Sequence, residues 1–198
     1  YYGCTTFLPM LQASTESRII NTSSINGFWA SVGPHVPHAA YCAAKFAVKG
    51  FTEALITDLR INAPNVSCSV VMPGHIGTSI VENSRKLVRE NNAEDPTDSE
   101  VERARELYLR AGLPLDNVPD GHIKQMMQQE SDDFRDKALT SAEDAASIIL
   151  EGVKEKRWRI LVGGDAEFLD QAVRADPESA YELEFFERLA NRGMALDF

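Results

Sequence analysis

Tyr41 and Lys45 stand four residues apart, with Ser24 upstream of them and Pro73-Gly74-His75-Ile76-Gly77-Thr78 downstream. On a helix, a Lys four residues after a Tyr lies over the same face, one turn along. An ammonium so placed favours a phenolate over a phenol, a group whose ordinary pKa is about 10. A hydroxyl from Ser24, delivered by a second element, can share a substrate oxygen with that phenol. Together these are the parts needed to move a proton onto or off an alcohol oxygen near neutral pH.

Positioning them takes several elements. Residues 18–24 (Arg-Ile-Ile-Asn-Thr-Ser-Ser) read as a short strand, and residues 27–38 as a loop holding Gly33, Pro34 and Pro37. Residues 39–61 read as a long helix whose apolar positions, including Phe46, Phe51, Leu55 and Leu59, are spread so broadly that it should pack on more than one side. Residues 66–72 are apolar almost throughout, as a parallel strand covered on both faces would be, and residues 158–162 form a third strand ended by Gly163-Gly164. An opening helix carries Phe7, Leu8 and Leu11, with Pro9 near an end or kink.

The segment 79–139 is a long insertion, its best helix following the capping box Ser99-Glu100-Val101-Glu102. A second box, Thr140-Ser141-Ala142-Glu143, opens a helix with Ala145, Ile148, Ile149 and Val153, and Asp176-Pro177 predicts one more helix start. Strands alternating with helices predict an α/β fold with a parallel sheet, open at an edge beside the first strand.

Composition removes other functions. The net charge of -10 argues against nucleic-acid binding and leaves no polybasic stripe for anionic lipid. No apolar run approaches the roughly 20 residues that span a bilayer. Cys4, Cys42 and Cys68 sit in apolar surroundings and read as reduced thiols of a cytoplasmic protein. His35 and His38 lack Cys or carboxylate partners at ligand spacing, so no metal site is expected.

Tyr-x-x-x-Lys alone is a common helix surface pair, and Pro-Gly alone is any strand-ending turn. In order, however, Asn21-Thr22-Ser23-Ser24-Ile25-Asn26-Gly27, Tyr41-Cys42-Ala43-Ala44-Lys45 and Pro73-Gly74-His75-Ile76-Gly77-Thr78 resemble the catalytic half of the classical short-chain dehydrogenase/reductase family. The similarity covers residues 3–78 and returns weakly over 140–162. It implies a single domain, 1–198, forming the C-terminal part of a Rossmann-type doubly wound parallel sheet. Within it lie a catalytic segment (1–78), a substrate-lid insertion (79–139) and a last helix-strand unit with C-terminal helices (140–198).

The resemblance also implies an NAD- or NADP-dependent oxidoreductase interconverting a secondary alcohol and a ketone. Ser24 would hold the substrate oxygen, with Ser23 its strand neighbour. Tyr41 would be the acid-base group, and Lys45 would tune it and bond the nicotinamide ribose. Pro73 and Gly74 would turn the chain beside the cofactor, with Ile76 and Thr78 on the nicotinamide carboxamide. Phe28, Trp29 and Val36 are candidates to line the substrate mouth. Met126, Met127, Ile123 and Phe134 are candidates for an apolar lid over a hydrophobic substrate, an alternative to ordinary helix packing. The helices near 7–11 and 39–61 correspond to subunit-packing helices, so the parent should be a homo-oligomer.

No Gly-rich strand-turn-helix for the pyrophosphate occurs in the 198 residues. By the resemblance, a fourth catalytic residue, an Asn, would sit just before Tyr1, and the chain reads as a C-terminal fragment. The alternative is a non-catalytic truncated product or binding module, and on either reading the isolated chain should bind neither NADH nor NADPH measurably.

Overall fold

Val70, Val71 and Met72 are fully buried because strand β2 (Val66–Pro73) runs down the middle of a parallel sheet with helices on both faces. The computed structural model describes residues 1–34, 36–89, 95–115 and 117–192. Strand β1 (Ser17–Thr22) flanks β2 in the register Ser17↔Val66 to Thr22↔Val71. On the other side β5 (Arg159–Val162) pairs from Val70↔Arg159 to Pro73↔Val162. The α/β architecture and the three parallel strands agree with the sequence pattern.

Alternate residues of these strands face opposite ways and build separate cores. Ile19, Val66 and Cys68 pack under helices α1 (Tyr2–Gln12) and α2 (Ala39–Asn62), against Leu8, Leu11, Leu55 and Leu59. Val71, Ile160 and Val162 pack on the opposite face under α6 (Ala142–Lys154), against Ala145, Ile148 and Ile149. Leu161 turns away from that face and joins a third core built on α7 (Gly164–Ala175) and α8 (Leu183–Ala190), with Trp29, Leu169, Phe185 and Leu189. Arg159 fixes β5 to α7 through Asp170.

α7 was not expected from the sequence. Gly163, at φ +102°, turns the chain off β5 straight into it, and the acidic Asp165 and Glu167 favour its N-terminus. Asp176 therefore ends α7 rather than starting a helix, and a single 3-10 turn (Ser179–Tyr181) leads into α8. The two capping boxes are also displaced. Thr97, not Ser99, caps α4 (Asp98–Arg110) with Glu100 as its partner, and Ser141, not Thr140, caps α6 by accepting from the Asp144 N–H.

The insertion holds α3 (Ile80–Val88), α4 and α5 (Asp120–Asp136), and makes its own core of Val101, Tyr108, Leu115, Ile123 and Met127. It is joined back to the sheet by a small parallel pair, β3 (Ile76–Gly77) with β4 (Thr140–Ser141), which the sequence did not reveal.

Along the β1 edge the molecule stays apolar and uncovered. α1 has no fully buried residue, and Tyr1, Tyr2, Phe7, Met10, Ile20 and Phe46 are exposed. All three cysteines are free thiols, and burial pushes the Cys42 and Cys68 thiols up. No described helix is long and apolar enough to cross a membrane.

Candidate active site

The residues singled out by spacing gather at the carboxyl ends of the strands, where open α/β sheets bind ligands. As β1 ends at Thr22, two adjacent serines take different tasks. The Ser23 hydroxyl donates to the Lys45 carbonyl at 2.7 Å, and its N–H donates to the Val71 carbonyl at 2.8 Å. Ser23 therefore ties α2 to the sheet. Gly27 allows that approach, because a Cβ there would lie 2.9 Å from the Lys45 carbonyl oxygen.

Ser24 has extended backbone and caps the short 3-10 turn Ile25–Gly27, its Oγ accepting from the Asn26 N–H at 3.2 Å. Its own proton is directed at Asn26 Oδ1, 3.4 Å away. Asn26 in turn donates from Nδ2 to the carbonyls of Trp29 (3.1 Å) and Ser31 (2.6 Å), which fixes the start of the 27–38 loop. Asn26 was not singled out by sequence. Its signal was a carboxamide two residues after the site serine, at a turn where Asn bonds local backbone.

The helical spacing does bring Tyr41 and Lys45 together. Lys45 Nζ lies 5.5 Å from the centre of the Tyr41 ring and donates to the Thr22 carbonyl at 3.3 Å, the strand end from which Ser23 and Ser24 depart. Burial pulls the Lys45 ammonium below its ordinary pKa. No carboxylate pairs with it among the described residues. Tyr41 is 37% exposed, its ring rests on His38 at 4.8 Å between centroids, and its hydroxyl has no hydrogen-bond partner among the described residues. No hydrogen bond joins Tyr41 to Ser24, whose hydroxyl is occupied by Asn26.

The 73–78 segment leaves the central strand as expected. Gly74 N–H donates to the Val162 carbonyl at 2.9 Å, and His75 N–H donates to Asp165 Oδ2 at 2.6 Å. The His75 ring lies over Phe134 at 4.2 Å, with Nε2 2.6 Å from the Phe134 carbonyl oxygen, so Nε2 is the protonated, donating nitrogen. Ile76 and Gly77 pair with Thr140 and Ser141. Thr78 is half-buried, and its hydroxyl has no partner among the described residues.

Other candidates go elsewhere. Trp29 is 1% exposed and donates its indole N–H to the Ala180 carbonyl at 2.7 Å, so it is core and not mouth. Phe28 packs partly into the same core beneath Arg159, and Val36 is half-buried. Ile123 and Met127 are buried in the insertion's core with Met126 against them, leaving Phe134 as the member of that group that reaches the 73–78 turn. His35 lies outside the described residues. Among the described residues no cluster of three or more His, Cys, Asp or Glu is placed to hold a metal.

Comparisons with known proteins converge on one family. Residues 1–88 match the family described as short chain dehydrogenase. A Mycobacterium tuberculosis protein that bears the name "Putative oxidoreductase SadH" is 31% identical over 196 residues, covering 99% of this chain and 55% of that protein. A 3-ketodihydrosphingosine reductase of Bacteroides thetaiotaomicron is 32% identical over 97 residues, covering 48% of this chain and 34% of that protein. The crystal structure of a short chain dehydrogenase/reductase from Burkholderia phymatum in complex with NAD superposes with a TM-score of 0.56 at 26% identity, covering 88% of this chain and 50% of that one. The chain thus spans about half the length of the relatives it matches. Strand order, the Ser-Tyr-Lys order along the chain and these matches lead to one conclusion: this chain belongs to the short-chain dehydrogenase/reductase family.

Proposed function

We propose that the chain is the proton-transfer portion of an NAD- or NADP-dependent oxidoreductase that interconverts a secondary alcohol and a ketone. The observation that carries this reading is the placement of Lys45 Nζ between the Tyr41 ring and the Thr22 carbonyl, beside a Tyr41 hydroxyl that has no partner among the described residues. The residues fit the nicotinamide end of the cofactor. Among the described residues, the half-buried Thr78 hydroxyl has no partner and Lys45 Nζ makes one hydrogen bond, which leaves both able to bond the cofactor, with Ile76 in the same turn. The Burkholderia phymatum relative holds NAD, which supports a dinucleotide here.

When bound, the cofactor supplies a hydride to the carbonyl carbon, or accepts one from the alcohol carbon. Tyr41 gives its Oη proton to the ketone oxygen in reduction and takes the proton back in oxidation. Ser24 holds the same oxygen by turning its hydroxyl from Asn26 toward the substrate. Lys45 stays beside the Tyr41 ring and bonds the ribose hydroxyls. Pro73 and Gly74 set where the chain turns toward the ring. Asn26 returns Ser24 to its resting position when substrate leaves.

The insertion, with Phe134 against the 73–78 turn, suits a bulky apolar substrate, and the sphingoid-base ketone named for the Bacteroides relative supports that class. The exposed apolar residues of α1 and of α2 near Phe46 support a homo-oligomeric parent, and free thiols agree with a cytoplasmic one. The test is a panel of long-chain and cyclic ketones offered to the full-length protein with NADH and with NADPH. Cofactor consumption with at least one apolar ketone is expected, and consumption with none would contradict the reading.

A further inference from the structure

Asp165 is 4% exposed and stands in the first turn of α7, yet its carboxylate reaches to the turn that leaves β2. Oδ2 accepts the His75 N–H at 2.6 Å, while Oδ1 is buried without a partner among the described residues. A buried anion with an unpaired oxygen is costly. Two features offset that here. The N-terminus of α7 favours negative charge, and the bond from His75 is charge-assisted. Space for the group exists because Gly74 and Gly163 flank it, and a Cβ on either would collide with the Asp165 carboxylate.

His75 is thereby gripped from two sides. Its backbone is held by Asp165 from the sheet side, and its ring by the Phe134 carbonyl from the insertion. Gly74 and Gly77 bracket this residue, and glycine backbone is the most free to move. The rest of the turn is held at Gly74, by its bond to the Val162 carbonyl, and at Ile76 and Gly77, by pairing with β4, so the grip fixes the residue between them.

The geometry points to Asp165 as a positioning residue that locks the 73–78 turn so that Ile76 and Thr78 are presented to the nicotinamide. This rests on the proposed dinucleotide-dependent function, but its structural half does not. Asp165 acts through the His75 N–H and touches neither substrate nor proton.

The experiment compares Asp165→Ala and Asp165→Asn in the full-length protein by amide hydrogen exchange and by NADH and NADPH titration. In Asp165→Ala, exchange at His75 should rise about tenfold or more, as loss of a bond to a charged acceptor implies. Dinucleotide binding should weaken by about tenfold while turnover at saturation changes less than that. Asp165→Asn keeps an acceptor in reach and should restore most of both. If Asp165→Ala does not fold, Asp165→Ser, which stays polar but falls short of His75, is read in its place with the same expectation. Unchanged exchange at His75, or equal damage by Asn and Ala spread across α7 and β5, overturns the inference. Normal exchange effects in a protein that binds neither dinucleotide would instead remove the functional reading and leave the lock standing.

Discussion

The rim of the sheet and the insertion that overhangs it are held together in opposite ways. At the rim, Ser23, Lys45, Gly74 and His75 are each fixed by one or two hydrogen bonds to residues on other elements, often far along the chain. The insertion is fixed by its own packing, with Ile123 and Met127 buried against Val101 and Tyr108 of its own helices. The two regions meet where His75 lies on Phe134 and where Gly77 runs beside Arg135, and the β3–β4 pair closes the base of the insertion. The rim is bonded across the fold, whereas the insertion rests on a core of its own.

This difference can be broken first in the insertion. Ile123 is fully buried, so Ile123→Ala should lower the stability of the insertion by about 2–5 kcal/mol through lost burial and a residual cavity. Limited proteolysis should then cut within 80–136 while the sheet remains resistant. Cooperative loss of both regions in one step would show that they are a single unit.

At the rim the corresponding change is smaller. Ser23→Ala removes one bond to the Lys45 carbonyl and should cost about 1 kcal/mol, a shift in Tm of about 2–4 °C. Its functional effect should exceed its stability effect, since α2 carries Tyr41 and Lys45. A turnover loss no larger than the stability loss would mean that the bond only holds the fold.

The smallest effect is a response to acid. Burial pushes the Glu100 carboxyl up, but the Thr97 N–H and Arg89 outweigh it and hold it below the usual range. A carboxylate so lowered stabilises the folded state above its unfolded value of about 4.3, and the gain is lost as pH falls through the lower folded value. The start of α4 should therefore loosen below about pH 4, a few tenths of a kcal/mol at most for so partial a burial. Glu100→Gln should remove that pH dependence, and a dependence that persists would assign it elsewhere.

The two regions also differed in how far the sequence disclosed them. The meeting of Tyr41 with Lys45 and the turn that follows Pro73-Gly74 were legible because helical spacing and a strand-ending Pro-Gly dictate them locally. The parallel sheet was legible from the near-continuous apolarity of β2. What was hidden depended on partners distant in sequence. Trp29 in a loop looks the same whether it lines a mouth or a core, and only the Ala180 carbonyl, 151 residues on, decides. Asp165 reads as a surface acid until the fold lays it beneath Gly74. α7 escaped because it starts at Gly163-Gly164, residues that ordinarily stop an element, and Asp176-Pro177 imitated a start where the helix ends. Met126 and Met127 were ambiguous between lid and core because both uses need the same side chains.

Proton movement through Tyr41 at the rim, as proposed, is tested most directly by removing its hydroxyl. Tyr41→Phe in the full-length protein removes a single oxygen whose hydroxyl has no partner among the described residues. Single-turnover reduction of an accepted ketone should slow by about 10²–10⁴-fold, with dinucleotide affinity and Tm unchanged. A variant that reduces the ketone at the wild-type rate would contradict the account.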